Sequence, residues 1–113
     1  MRYIATETPK IFAVDAMEQT GKITGVSATD QIKANVAVFE ELHKWSEKNL
    51  AMGVGADVSE KQIRVGLKAV KRKFKNDPKA AQAYGLDPLT VLTVLSALFN
   101  ILGWLVRWWK GEV

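Results

Sequence analysis

The chain has 113 residues, no cysteine and a single histidine, His43. This length allows one small domain, and the residue counts exclude a disulfide framework, a cysteine metal site and a catalytic site built on several imidazoles. The net charge of +4 conceals an asymmetry, because residues 1–60 contain 6 basic and 9 acidic side chains, whereas residues 61–113 contain 10 and 3. The positive charge of the chain therefore lies in its second half.

The first 26 residues carry no clear periodic pattern. They mix threonines, Pro9 and two glycines with a short apolar stretch at 11–14. Glu7 and Asp15 interrupt any hydrophobic core of a signal peptide. We therefore predict an extended or loosely structured arm over 1–26, followed by a helical region at 27–85 and a C-terminal anchor at 86–113.

A helix is predicted over about 28–51, because apolar residues recur at helical spacing along one face. These are Ile32, Val36, Phe39, Leu42 and Leu50. His43 lies on the apolar side, where we interpret it as a packing residue rather than a pH-sensitive contact. Trp45 flanks the apolar face and is expected to pack on the next helix. Gly53 and Gly55 then turn the chain, which predicts a helical hairpin.

The second helix of the hairpin is predicted over about 59–76, where Ser59 and Gln62 form a capping-box pattern. Beside a narrow apolar stripe, six basic side chains share an arc of about 100°. They are Lys61, Arg64, Lys68, Lys71, Arg72 and Lys75. Such a face can contact anionic lipid headgroups, nucleic-acid phosphates or an acidic protein, or remain solvated. Its position before the apolar C-terminal run favours lipid headgroups.

Two Asp-Pro pairs, at 77–78 and 87–88, predict the starts of a short helix over 78–84 and of a long apolar helix over about 88–109. Residues 88–106 carry no formal charge, and a helix of that length covers about 28 Å, close to the ~30 Å hydrocarbon core of a bilayer. Residues suited to a membrane interface flank this run: Tyr84, Trp104, Arg107, Trp108, Trp109 and Lys110. We predict a transmembrane helix, and the alternative is a helix buried in a soluble assembly.

Small and polar residues recur at spacings of three and four within the apolar helix, so they share one face. They are Thr93, Ser96, Ala97, Asn100 and Gly103, and the stripe continues to Arg107. In lipid such a stripe packs helices together, which predicts a homo- or hetero-oligomer or a partner membrane helix. Basic residues are frequent before the span and sparse after it, so the positive-inside rule places the N-terminal 85 residues on the cytoplasmic or equivalent side.

The plan of residues 59–113, a basic region followed by a C-terminal span, resembles that of minor membrane proteins of lipid-containing bacteriophage particles. The resemblance implies a virion structural role, in which the chain links a capsid or scaffold protein to an internal membrane. We found no catalytic, metal or cofactor motif, and we predict an all-α, non-enzymatic, tail-anchored membrane protein with a structural or tethering role. A bacterial inner membrane is the other location that fits. Two alternatives are a holin-like or other membrane-permeabilising effector and a soluble, oligomeric helical module that binds nucleic acid.

Overall fold

The computed structural model describes residues 7–50 and 56–112, and all regular structure in these ranges is helical, as predicted. The helices are α1 (Thr8–Thr20), α2 (Ala28–Leu50), α3 (Glu60–Asn76), α4 (Pro78–Gln82), α5 (Pro88–Leu98) and α6 (Leu102–Lys110), with a 3₁₀ turn, Phe99–Ile101, between the last two. The predicted turn at Gly53 and Gly55 and the first six residues of the predicted arm lie outside the described residues.

The prediction of an irregular arm over 1–26 is wrong for α1, which is a regular helix. Pro9 lies in its first turn, where the missing N–H of proline costs nothing. The apolar residues of α1 point in several directions, so the helical period is weak in the sequence. Phe12 is fully buried, whereas Ile11 and Val14 are exposed. Packing against the rest of the protein, rather than a local pattern, stabilises this helix.

The central helix, α2, packs against α1, α3 and α5. Its first turn is tied to the end of α1 by Gln31, a fully buried side chain. The Gln31 amide donates to the Gly21 carbonyl at 2.9 Å, and its oxygen accepts from the Ile23 N–H at 3.0 Å. One turn later, the Asn35 amide donates to the Ala13 carbonyl at 3.2 Å. Because the later residue of α2 contacts the earlier residue of α1, the two helices are antiparallel.

The predicted pairing of α2 with α3 is confirmed, including the packing of Trp45 on the second helix. At Gly66 an added Cβ would lie 2.6 Å from Leu42 Cδ1 and 2.8 Å from Trp45 Cε3. The absence of a side chain at Gly66 therefore allows the two helices to approach closely. The capping box at the start of α3 is also confirmed, since both reciprocal hydrogen bonds between Ser59 and Gln62 are present.

The last helices form one continuous helical segment, Pro88–Lys110, called here the C-terminal segment. Among the described residues it is the one helix that is long enough and apolar enough to cross a membrane. Its apolar side joins α1, α2 and α3 in a common hydrophobic core. The ring centroids of Phe12 and Trp108 are 5.1 Å apart, and those of Phe39 and Trp109 are 5.4 Å apart. The C-terminal tryptophans are therefore part of the bundle core.

Candidate anion-binding face on α3

The six basic side chains predicted to share one face of α3 are all exposed, and together they are called the basic arc. They are Lys61, Arg64, Lys68, Lys71, Arg72 and Lys75. The apolar stripe beside the arc is buried through Ile63, Leu67 and Phe74, which are at most 2% exposed. Because turning α3 would expose these apolar side chains, the fold holds the basic arc toward solvent.

Acidic side chains neutralise little of the basic arc. The Arg64 Nη2 atom lies 3.0 Å from Glu60 Oε1, one helical turn earlier. Within the described part of the chain, no other member of the arc forms an ion pair. Beside the arc, Val65 is 49% exposed. Unpaired cations next to an exposed apolar side chain suit a surface that is anionic and partly apolar, such as the headgroup region of a membrane.

Lys73 lies off the arc, as its helical position predicts, and pairs with Glu41 of α2. The Glu41 side chain is only 6% exposed, and it also contacts Lys44 at 3.3 Å and the Tyr84 hydroxyl at 3.5 Å. Burial raises the pKa of Glu41, but the hydrogen bonds and charges of Lys73 and Lys44 together outweigh it, so the pKa lies below its ordinary value of 4.5. Burial, followed by the charge of Glu41, raises the pKa of Tyr84.

This polar cluster helps to set the orientation of the basic arc, because it joins α3 and the turn after α4 to α2. Glu41, the centre of this cluster, is not apparent from the sequence alone. The available signal was the position of Lys73, the one basic residue of α3 that falls outside the arc. A carboxylate on the neighbouring helix is a natural partner for a lysine placed on that side of α3, and Glu41 supplies it.

The polar stripe of the C-terminal segment lies on one face, as predicted, and that face is open to solvent. Thr93, Ser96, Asn100, Gly103 and Arg107 are exposed, and Ala97 is half-buried. The hydroxyls of Thr93 and Ser96 donate to the carbonyls of Leu89 and Leu92, four residues earlier, at 2.8 and 2.9 Å. Both hydroxyls are thus satisfied within their own helix. Packing of the stripe against a second membrane helix stays a prediction.

The three tryptophans predicted as membrane-interface anchors lie inside the protein. Trp104, Trp108 and Trp109 are 8%, 1% and 0% exposed. The Trp108 Nε1–H donates to Asp15 Oδ2 of α1 at 3.2 Å. In this packing the indoles contact protein, so their role as anchors stays a prediction that requires the C-terminal segment to leave the bundle.

The other predicted anchors have separate environments. Arg107 is exposed. Lys110 Nζ lies 3.3 Å from Asp57 Oδ1, which joins the end of α6 to the residues before α3. Tyr84 is half-buried, with its hydroxyl directed toward Glu41. The structure therefore does not gather these residues into one belt.

His43 has the surroundings of a packing residue. Its ring stacks on Phe39, with centroids 5.9 Å apart and planes 7° from parallel, and its Nδ1 atom lies 3.1 Å from Glu47 Oε1. The described residues contain no group of three or more histidine, aspartate or glutamate side chains that is placed to hold a metal ion. Among the features found here, the basic arc is the strongest candidate for a functional surface.

Comparison of the chain with protein-family models, curated proteins and solved structures finds no match. The resemblance to phage membrane proteins therefore rests on the plan of the sequence alone, and the virion role stays a prediction. The structure itself identifies an all-α protein that has an exposed basic helix and one helix with the length and composition of a membrane span.

Proposed function

We propose that this chain is a non-enzymatic, membrane-associated protein. In this proposal the basic arc binds anionic lipid headgroups and the C-terminal segment enters the bilayer. The observation that carries the proposal is the outward orientation of the basic arc on α3. Its six cations have one acidic partner, Glu60, and α3 comes shortly before the C-terminal segment in the chain. An uncompensated basic surface next to such a segment is typical of proteins that contact the anionic face of a membrane.

The electrostatic attraction between the basic arc and an anionic membrane indicates how strongly the arc can bind without the C-terminal segment. Each lysine or arginine near an anionic surface contributes about 1 kcal/mol, so the five unpaired cations supply up to about 5 kcal/mol. This is enough for reversible binding and too little for stable anchoring. Because the Debye length falls from ~30 Å at 0.01 M salt to ~8 Å at 0.15 M, this binding should weaken as salt is raised. Lasting attachment therefore requires the C-terminal segment.

Membrane crossing requires a conformation different from the bundle. In the bundle Lys110 contacts Asp57, whereas the positive-inside orientation places these residues on opposite sides of a ~30 Å hydrocarbon core. The apolar residues of the segment gain roughly 3 to 7 kcal/mol near a bilayer centre, which is comparable with the total stability of a small domain, about 5 to 15 kcal/mol. We therefore propose that the folded bundle first docks through the basic arc and that the segment then leaves the bundle.

Vesicle binding tests the role of the basic arc. The test variant is K68A/R72A/K75A, and the control, which loses the same charge outside the arc, is K22A/K48A/K79A. Losing three cations from the contact should weaken binding to vesicles of phosphatidylglycerol and phosphatidylcholine by about 100-fold, at about 1 kcal/mol each. Vesicles of pure phosphatidylcholine should bind weakly throughout. An equal loss in the control would show that net charge, and not the basic arc, determines binding.

Cross-linking tests the role of the C-terminal segment, and the absence of native cysteines makes the chemistry selective. In the variant D57C/K110C a short bismaleimide joins two positions that are neighbours in the bundle. The linked protein should still bind anionic vesicles but should be released by alkaline carbonate, whereas the unlinked variant should resist extraction. Release of the unlinked protein would contradict insertion. Resistance of the linked protein would contradict the requirement that the bundle open.

We further propose that the protein is a tether between the membrane and a protein layer. The N-terminal 85 residues lie on the cytoplasmic or equivalent side, and the α2–α3 hairpin contacts a protein layer while the segment holds the bilayer. If this layer is a viral capsid, the protein should copurify with intact membrane-containing particles and should be lost when detergent removes their lipid. Absence of the protein from such particles would refute the virion role.

A second candidate function is a soluble helical module that binds nucleic acid through the same basic arc. The observation that favours it is the packing of the C-terminal segment, whose tryptophans are buried and whose polar stripe faces solvent. With about five phosphates neutralised, the logarithm of the affinity for duplex DNA should fall with the logarithm of salt with a slope near −4.5. Such a slope, together with release by carbonate, would favour this function over membrane insertion.

A further inference from the structure

The helix α1 is apolar on two faces. One face is buried through Phe12 and Ala16, and the other exposes Ile11 and Val14, which are 40% and 42% accessible. A surface helix usually has one apolar stripe and a polar remainder. Two of the four large apolar side chains that are exposed in the described residues belong to this short helix. The outer face of α1 therefore presents apolar surface that the bundle does not use.

This outer face borders a groove between α1 and α2, called here the α1–α2 groove. The groove has a volume of about 440 Å³, and its walls are almost entirely apolar. It is lined by Lys10, Val14, Ile32, Lys33, Val36 and Tyr84. This volume lies in the lower part of the range of about 300 to 1,000 Å³ that is typical of small-molecule sites. The groove suits one hydrocarbon chain rather than two.

The two lysines of the groove are available for an anion, since neither forms an ion pair with a described residue. They are not equivalent. Because α1 and α2 are antiparallel, Lys10 lies toward the part of α2 that contains Glu40 and Glu41, and these carboxylates lie beside the Tyr84 hydroxyl. Lys33 is seven residues before Glu40, or about 10 Å along the helix. Asp30 lies one turn before Lys33 but forms no ion pair with it, so the anionic group is assigned to Lys33.

We propose that the α1–α2 groove binds a single-chain amphiphile with an anionic head, such as a fatty acid. Its hydrocarbon chain lies against Val14, Ile32 and Val36, and its carboxylate pairs with Lys33. Burial of the chain supplies most of the affinity, and the lysine selects an anion over a cation or a neutral head. This site is separate from the basic arc and does not depend on insertion of the C-terminal segment.

Calorimetric titration with dodecanoate, below its critical micelle concentration, tests the site. Dodecyltrimethylammonium, which has the same chain and the opposite charge, should bind at least tenfold more weakly, because the lysines of the groove repel its head. In V14E, which places a carboxylate in the groove at an exposed position, the affinity should fall more than tenfold. In K33A it should fall about threefold to fivefold, as expected for an exposed ion pair. The loss in K10A should be smaller, and K22A, outside the groove, should stay within twofold of the wild type.

Methyl NMR spectra should locate the ligand, with the largest shifts at Val14, Ile32 and Val36. Where circular dichroism shows that V14E has lost helix, V14S provides the same test without the added charge and should still weaken binding. The proposal is overturned by absence of dodecanoate binding, or by equal binding of the cationic amphiphile. It is also overturned if K68A/R72A/K75A abolishes binding while V14E and K33A do not, since the basic arc would then be the site.

Discussion

Replacing Gly66 with alanine should destabilise the bundle, whereas the same change at Gly103 should stabilise it. Both glycines lie inside helices, so each substitution removes about 1 kcal/mol of unfavourable helix propensity. Their surroundings differ. A Cβ at Gly66 would lie 2.6 Å from Leu42 and 2.8 Å from the Trp45 ring, whereas a Cβ at Gly103 meets nothing within 4 Å. Comparing the two variants therefore separates the energetic cost of packing from the gain in helix propensity.

The magnitudes follow from these contacts. Leu42 Cδ1 ends a flexible side chain, but the Trp45 ring is rigid, so the two helices must shift. Overpacking of this kind costs about 1 to 3 kcal/mol. With the gain in propensity subtracted, G66A should lower the free energy of unfolding by about 1 kcal/mol, and G103A should raise it by about 1 kcal/mol. Each change corresponds to a shift in Tm of about 4 °C for a domain of this size.

Urea unfolding, followed by circular dichroism and by tryptophan fluorescence, measures both variants against the wild type. Coincident transitions from the two probes would establish that the comparison is two-state. A destabilised G103A would refute the reasoning, because it would show that Gly103 contacts another helix rather than solvent.

Three further changes test contacts that join distant parts of the chain. The pKa of Glu41 is lower in the folded than in the unfolded state, so its contribution to stability is present above about pH 4.5 and is lost as the pH falls through the folded-state pKa. E41Q should therefore lower the free energy of unfolding by about 1 to 2 kcal/mol at pH 7. In urea titrations from pH 7 to 3, the stability of E41Q should fall less steeply with acid than that of the wild type. An equally steep fall would exclude Glu41 as the source of the acid dependence. D15A removes the acceptor of the Trp108 indole, which should cost about 1 to 2 kcal/mol of stability and change the tryptophan emission spectrum, whereas unchanged emission would argue that the indole has another environment. Y84F should cost less than about 1 kcal/mol in thermal unfolding, because the hydrogen bond of 3.5 Å to Glu41 is long, and a larger loss would mean that the phenol has a stronger partner.

The helix starts were predictable because their chemistry is local. Asp77 accepts a hydrogen bond from the Lys79 N–H at 3.1 Å, and Asp87 accepts one from the Leu89 N–H at 3.3 Å. Each contact joins residues that are two apart in the chain, so an Asp-Pro pair in the sequence is enough to predict the helix start. The exposure of the basic arc was predictable for a similar reason, since the helical period separates it from the apolar stripe.

The unpredicted features depend on contacts between residues far apart in the chain. Glu41 and Lys73 are 32 residues apart, and Asp15 and Trp108 are 93 residues apart. No local pattern identifies such partners before the helices are packed. The helix α1 was missed because its apolar residues serve two faces, which weakens the periodic signal on which a prediction from sequence relies.

The 3₁₀ turn at Phe99–Ile101 has a consequence for the direction in which the C-terminal indoles point. A 3₁₀ helix rotates by about 120° per residue and an α-helix by about 100°, so three residues of 3₁₀ geometry add about 60° of rotation between α5 and α6. The indoles of Trp104 and Trp108 now meet Phe12, with centroids 6.0 and 5.1 Å apart. If residues 99–101 were α-helical instead, both rings would rotate away from α1, although the composition of the segment would be unchanged. The direction of the tryptophans therefore depends on the backbone geometry in the middle of the segment.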